Sequence, residues 1–131
     1  MATVPLLTDE AASPEARAVF DAIRAARGSD YVNNFWRALA HDPALLKATW
    51  ERLGAVMAPG ALDPLVKEMI YVAVSTVNGC SYCIHSHTAA AKARGMTTEQ
   101  HGELMAVIAM AMQTNALATA LQVETDERFM A

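Results

Sequence analysis

The sequence predicts an all-α fold of about six helices, and three observations support this prediction. A capping residue followed by proline, a common start of a helix, occurs three times, and the pairs are Ser13-Pro14, Asp42-Pro43 and Asp63-Pro64. Apolar residues then recur at helical spacing after each pair. The composition is 53% apolar but only 6% aromatic, with 8 methionines, and this mixture suits closely packed helices.

The first half of the chain is expected to form three helices. The first runs from Ser13 to the stop at Gly28, a short second helix spans residues 32–40, and a third runs from Asp42 to the Pro59-Gly60 pair. Residues 1–12 show no helical periodicity. We therefore expect them to form an N-terminal arm.

The second half is expected to form the remaining helices. The fourth covers residues 63–78 and the fifth covers residues 80–94, and a glycine follows each of them. Thr97 and Gln100 have the spacing of a capping box and start the last segment. That segment is either one long helix or a helix pair interrupted near position 114.

Length, charge and hydropathy exclude several classes of protein. A chain of 131 residues suits one domain, so we expect a single domain over residues 1–131. Net charge is −4 and no basic cluster occurs, which argues against nucleic-acid binding. The longest apolar run, Leu104 to Met112, is far shorter than the ~20 residues of a membrane span. No secretory signal pattern is visible at the start. We expect a cytoplasmic protein that binds neither nucleic acid nor membrane.

Glu68 lies in a stretch of the fourth helix that is apolar on almost every side. Its apolar neighbours are Leu65, Val66, Met69, Ile70, Val72, Ala73, Val74 and Val77. A helix that is apolar all round is usually buried, so we expect this stretch and Glu68 to be buried. Because an isolated buried carboxylate is costly, Glu68 needs a partner, and His87 is the candidate.

The two cysteines of the chain form a Cys-x-x-Cys motif, Cys80 to Cys83. His87 lies four residues after Cys83. If a helix begins near Cys80, these side chains project from one face. The partial positive charge of a helix N-terminus favours a thiolate there. The residues therefore predict a redox site in which Glu68 orients His87, directly or through water, and His87 takes a proton from a cysteine.

Zinc binding is the main alternative for the same residues. Cys80, Cys83, His87 and either Glu68 or His85 would supply four ligands of the types that zinc accepts. Structural zinc usually joins pairs of ligands from separate segments, whereas three of these come from one helical stretch. His85 also lies off the face shared by Cys83 and His87, and we expect it at the surface. Redox chemistry is therefore favoured over metal binding, and packing is the remaining alternative.

The spacing of Glu68, Cys80, Cys83 and His87 resembles the AhpD-type alkylhydroperoxidase signature of the carboxymuconolactone decarboxylase-like superfamily. The surrounding V-N-G-C-S-Y-C-I-H-S-H-T is similar to that family as well. With the flanking helices, the resemblance extends over roughly residues 15–125.

The resemblance implies an all-α fold that assembles into a homo-oligomer, often a trimer or hexamer, and a thiol-dependent peroxidase or disulfide-reductase activity. In AhpD-like enzymes the cysteine that matches Cys83 attacks the peroxide, and the cysteine that matches Cys80 resolves the sulfenic acid. AhpD proper can carry a further histidine just before the second cysteine, where this chain has Tyr82. That side chain could donate a hydrogen bond to bound peroxide or simply pack.

We therefore predict a thiol-dependent peroxidase in which Glu68, Cys80, Cys83 and His87 are catalytic. Its substrate would be a hydroperoxide, its reductant an external dithiol or a protein, and it would need no organic cofactor or metal. The alternatives are a general disulfide oxidoreductase with the same site and a helical zinc-binding module with structural cysteines. A decarboxylase is disfavoured because that chemistry does not call for a Cys-x-x-Cys pair.

Overall fold

The computed structural model describes residues 1–130, and over this range it contains six α-helices and no strand. The helices are α1 (Pro14–Arg27), α2 (Asn34–Leu39), α3 (Pro43–Met57), α4 (Pro64–Val77), α5 (Ser81–Ala93) and α6 (Thr98–Ala120). A short 3₁₀ helix, Glu127–Phe129, follows α6. The prediction of an all-α fold with about six helices is confirmed.

The predicted cap residues begin four of these helices. The side chains of Ser13, Asp42 and Asp63 accept hydrogen bonds from backbone N–H groups two or three residues further on, at 3.2, 3.0 and 2.8 Å. Thr97 and Gln100 form a complete capping box at the start of α6. These bonds satisfy N–H groups that a helix start leaves unpaired, so the local sequence sets where each helix begins.

A tight turn joins α4 to α5 and places the cysteine motif. Gly79 has a φ of 66°, a left-handed value that glycine adopts without steric cost. The N–H of Cys80 then donates to the carbonyl of Ser75, on α4, at 2.9 Å. The turn therefore holds Cys80 against the end of α4, and α5 starts at the next residue.

The last helix, α6, is continuous from Thr98 to Ala120. The alternative of a helix pair interrupted near position 114 is therefore wrong. The hydroxyl of Thr114 donates to the carbonyls of Met110 and Ala111, at 3.1 and 3.2 Å. Because threonine can bond to its own helix in this way, a polar residue at this position does not end the helix.

The chain forms two compact units, Met1–Ala58 and a second unit that begins at Pro59. In the first unit both α1 and α2 pack against α3. The buried apolar residues of its core are Ala12, Ala16, Val19, Phe20, Ile23, Val32, Trp36, Ala40 and Leu46. Trp36 also meets Trp50 edge to face, with ring centroids 5.4 Å apart. The first unit therefore has a closed apolar core.

Residues 1–12 form no helix, and polar contacts hold them against the rest of the first unit. Arg37 donates to the carbonyl of Leu7 at 2.8 Å and to the carboxylate of Asp9 at 3.1 Å. Arg24 forms an ion pair with the same carboxylate at 2.7 Å. The segment predicted as an N-terminal arm is therefore tied to α1 and α2.

The second unit contains α4, α5 and α6, and α4 packs against both of the others. Its buried apolar residues are Val72, Ala91, Met96 and Ile108. Two polar residues of α4, Glu68 and Ser75, are buried as well. This unit therefore combines a small apolar interior with a buried carboxylate.

One face of α4 is exposed, contrary to the prediction that its apolar residues are buried on every side. Four residues at helical spacing form this face and are between 41% and 64% exposed. They are Val66, Ile70, Val74 and Val77. The prediction fails because the helices that pack on α4 within this unit cover only the opposite face, which carries Glu68 and Val72.

None of the helices formed by residues 1–130 combines the length and the apolar character that a membrane crossing needs. The single domain over residues 1–131 stays a prediction.

Candidate active site

The cysteine motif lies at the start of α5, where Cys80 and Cys83 are joined by a disulfide bond. Cys80 is the N-cap of the helix, and its sulfur accepts a hydrogen bond from the N–H of Cys83 at 3.3 Å. The two Cα atoms are 5.3 Å apart, which is within the usual range for a disulfide. The first turn of α5 therefore holds the sulfurs where the bond can form without movement of the backbone.

Glu68, on α4, is only 4% exposed, and its carboxylate meets the imidazole of His87 on α5. The distance from Oε2 of Glu68 to Nδ1 of His87 is 2.7 Å. Because an ionised carboxylate can only accept, Nδ1 is the donor, and in a neutral imidazole Nε2 is then the free acceptor. His87 also lies one helical turn after Cys83, so a proton acceptor is placed next to the cysteine motif.

Arg94 contacts the second oxygen of the same carboxylate. Its Nε donates to Oε1 of Glu68 at 3.4 Å, and its side chain is 44% exposed. The two oxygens of the Glu68 carboxylate therefore contact one residue of α5 and the residue that caps its C-terminal end. Sequence reasoning missed Arg94, although a signal was present, because residues seven apart lie on the same face of a helix and Arg94 follows His87 by seven.

Tyr71 packs flat on the imidazole of His87. The ring centroids are 3.6 Å apart and the planes differ by 17°. Tyr71 follows Glu68 by three residues on α4, so both side chains point to the same side of that helix. The ring limits how far the imidazole can turn, and sequence reasoning missed this contact as well.

His85 takes no part in this cluster. It is exposed, and its Nδ1 bonds to the carbonyl of Ser81 in its own helix at 2.8 Å. Tyr82 is 43% exposed at the start of α5. Within residues 1–130, no group of three or more histidine, cysteine, aspartate or glutamate side chains is placed to hold a metal ion.

The chemistry available to these residues depends on the state of the disulfide. When it is closed, either sulfur can be attacked by an external thiolate. When it is open, two thiols lie in the first turn of a helix, where partial positive charge favours the thiolate. The fold and this geometry define an all-helical protein with a disulfide at a helix start and a carboxylate-histidine pair beside it.

The sequence profile of the Carboxymuconolactone decarboxylase family matches residues 43–126. The chain therefore belongs to this family, and the resemblance to AhpD proteins is confirmed by individual relatives. A crystal structure of the alkylhydroperoxidase AhpD core from Rhodospirillum rubrum is 63% identical, with a TM-score of 0.96. The similarity covers 100% of this chain and 98% of that one.

Two further relatives are named for the same activity. The alkyl hydroperoxide reductase AhpD of Maricaulis maris is 32% identical over 122 residues, which is 87% of this chain and 68% of that protein. The alkyl hydroperoxide reductase AhpD of Solibacter usitatus is 35% identical over 71 residues, which is 54% of this chain and 38% of that protein.

Proposed function

We propose that this protein is a thiol-dependent peroxidase that reduces hydroperoxides through a dithiol-disulfide cycle of Cys80 and Cys83. The observation that carries the proposal is the disulfide at the start of α5 with the buried Glu68–His87 pair beside it. The names of the AhpD relatives support the same activity. Decarboxylation, the chemistry in the family name, does not require a pair of cysteines.

In the proposed cycle, His87 accepts the thiol proton of Cys83 at Nε2, and the thiolate attacks one oxygen of the hydroperoxide. The O–O bond breaks, the alcohol leaves with a proton, and Cys83 becomes a sulfenic acid. Cys80 then attacks that sulfur, closes the disulfide and releases water. The two thiols of an external dithiol or a protein reductant restore the pair by exchange.

Cys83 is the proposed attacking residue and Cys80 the resolving one. His87 lies one helical turn from Cys83 but two turns from Cys80, so the base serves Cys83 more directly. The same assignment follows from the resemblance to AhpD-like enzymes. Glu68 holds the imidazole with its donor nitrogen towards the carboxylate, which keeps the other nitrogen free.

Counting thiols tests the proposal. The reduced protein is mixed with cumene hydroperoxide, and we expect both thiols of each chain to disappear as the disulfide forms. Cys80→Ser should stop at a sulfenic acid on Cys83 that dimedone traps. Cys83→Ser is the matched control, because it also keeps one thiol, and we expect that thiol to survive.

Two thiols per chain that persist after peroxide would overturn the peroxidase proposal. If those thiols instead react with a small disulfide such as oxidised glutathione, general disulfide exchange would be the better description of the site.

We also propose that the protein acts as a homo-oligomer, a trimer or hexamer, in the cytoplasm, where reducing conditions suit a cycling disulfide. The exposed apolar side chains of α6 and the residues after it support assembly, since a monomer rarely leaves such a surface uncovered. They are Val107, Met110, Met112, Leu117, Leu121 and Val123.

Sedimentation of two variants, one on α6 and one on α1, tests the assembly. Leu117→Glu should dissociate the oligomer, because a charge buried in an apolar interface is costly. Ala18→Glu adds the same charge at an exposed position of α1, outside the proposed assembly surface, and should leave the assembly intact. A wild-type protein that sediments as a monomer would contradict this proposal.

A further inference from the structure

The two oxygens of the buried Glu68 carboxylate are held by His87 of α5 and by Arg94, the C-cap of the same helix. Oε2 meets Nδ1 of His87 at 2.7 Å, and Oε1 meets Nε of Arg94 at 3.4 Å. A carboxylate that is 4% exposed has little water to solvate it, so these two contacts replace its hydration. The orientation of the carboxylate therefore depends on both partners.

The contact of Arg94 differs in kind from that of His87. A guanidinium is charged at all ordinary pH values, whereas an imidazole gains and loses its proton during the proposed cycle. Arg94 therefore keeps a positive charge and a donor on Glu68 when His87 is neutral. The carboxylate cannot then rotate freely, and its other oxygen stays directed at Nδ1.

We propose that Arg94 is a positioning residue of this site, which acts through Glu68 to fix the orientation of His87. This inference rests on the proposed function for its role in peroxide reduction. Its effect on thiol reactivity is independent of the oxidant, because the thiol loses its proton to His87 whatever reagent the thiolate then attacks.

A simpler role for Arg94 must be separated from this one. Arg94 is the C-cap of α5, and a cation near a helix C-terminus stabilises the helix through its dipole. Lys92 lies in the last turn of the same helix and is exposed. Lys92→Met therefore removes a cation from the same helix end without touching Glu68, and it is the matched control.

The experiment measures the rate at which iodoacetamide alkylates Cys83 at neutral pH. Every protein carries Cys80→Ser, so that Cys83 is the thiol that reacts. We expect Arg94→Met to slow alkylation about tenfold, as loss of an orienting partner commonly does. Arg94→Lys should retain most of the rate because it can still donate to Oε1. Lys92→Met should react at the parent rate.

A double variant decides whether the effect passes through Glu68. If it does, Arg94→Met should cause no further loss when Glu68→Gln is already present, because the two changes remove the same interaction. An equal slowing in both backgrounds, or no slowing in either, would overturn the proposal. Should Arg94→Met fail to fold, Arg94→Gln, which keeps a polar side chain but removes the charge, gives the same comparison in the two backgrounds.

The outcome is distinguishable from failure of the peroxidase proposal. A protein whose thiols ignore cumene hydroperoxide but whose alkylation still depends on Arg94 through Glu68 would keep the positioning role and lose the peroxidase function. A protein that reduces peroxide but whose alkylation does not depend on Arg94 would keep the peroxidase function and lose the positioning role.

Discussion

The two compact units use their interiors differently. The first, Met1–Ala58, buries a continuous set of apolar side chains that includes Phe20, Ile23 and Leu46. The second buries fewer apolar residues and places the carboxylate of Glu68 among them, while one face of α4 and much of α6 remain exposed. The first unit therefore uses its interior for apolar packing, whereas the second places the carboxylate-histidine pair of Glu68 and His87 in part of its interior.

This difference separates residues that maintain the fold from residues proposed to act in chemistry. A buried ion pair is weak evidence for stability, because desolvation of the charges opposes their attraction. We therefore expect changes in the first unit to lower stability and changes around Glu68 to lower the reaction rate.

The largest expected effect is that of removing the imidazole. His87→Phe keeps a flat ring that can still stack on Tyr71, but it removes the proton acceptor. We expect peroxide reduction to slow by about 10²–10⁴-fold, the usual contribution of a general base. His85→Phe, an exposed histidine on the same helix, is the control and should react at the wild-type rate. Equal rates for His87→Phe and His85→Phe would remove the base from the mechanism.

Truncation of the first core should lower stability instead. Phe20 is fully buried, and the guanidinium of Arg37 lies 5.1 Å from its ring centroid. We expect Phe20→Ala to lower the free energy of unfolding by about 3–5 kcal/mol. Denaturant unfolding followed by tryptophan fluorescence reports on this unit, because Trp36 and Trp50 both belong to it.

Phe129→Ala is the control for that truncation, since Phe129 is 69% exposed. It should change the free energy of unfolding by less than about 0.5 kcal/mol. If Phe20→Ala were no more destabilising than Phe129→Ala, burial of apolar side chains in the first unit would not be what stabilises the protein.

A smaller effect is expected at the ring that packs on the imidazole. Aromatic pairs are worth about 0.5–1.5 kcal/mol beyond their buried area. Tyr71→Leu should therefore slow peroxide reduction severalfold by loosening His87. Tyr71→Phe keeps the stack and should restore the wild-type rate, whereas a loss as large as that of Tyr71→Leu would assign the effect to the hydroxyl instead.

The smallest effect concerns acid stability of the first unit. Burial raises the pKa of Asp9, but hydrogen bonds and positive charge from Arg24 and Arg37 outweigh burial and leave that pKa below its usual value. A carboxylate with a lowered pKa stabilises the fold above its unfolded pKa of about 3.9, and this contribution is lost as pH falls through the folded value. Asp9→Asn should therefore weaken the loss of stability below about pH 4, measured as denaturant midpoints. An unchanged acid dependence would contradict this.

Local sequence signals predicted much of the fold because helix starts are local. The caps at Ser13, Asp42, Asp63 and Thr97 need only the next few residues to form. Burial depends on which helices meet, and for that reason the sequence could not show that one face of α4 is left exposed.

The candidate site was partly predictable for a similar reason. A carboxylate within an apolar stretch needs a partner, and this argument led from Glu68 to His87. It did not lead to Arg94 or Tyr71, because an arginine near a helix end and an aromatic ring on an apolar helix both have simpler explanations. Only the packing of α4 on α5 shows that both side chains contact the Glu68–His87 pair.

The role of the buried charge in the second unit can be measured with Glu68→Gln, which keeps the size of the side chain but removes its charge. The rate of cumene hydroperoxide reduction and the thermal unfolding temperature are recorded on the same samples, next to wild type. We expect the rate to fall by about 100-fold or more. The unfolding temperature should stay within a few degrees, because the side chain of Arg94 is 44% exposed and stays solvated, and an imidazole can be neutral when the carboxylate is lost. A variant that reduces peroxide at the wild-type rate but unfolds much earlier would show that Glu68 serves the fold and not the chemistry.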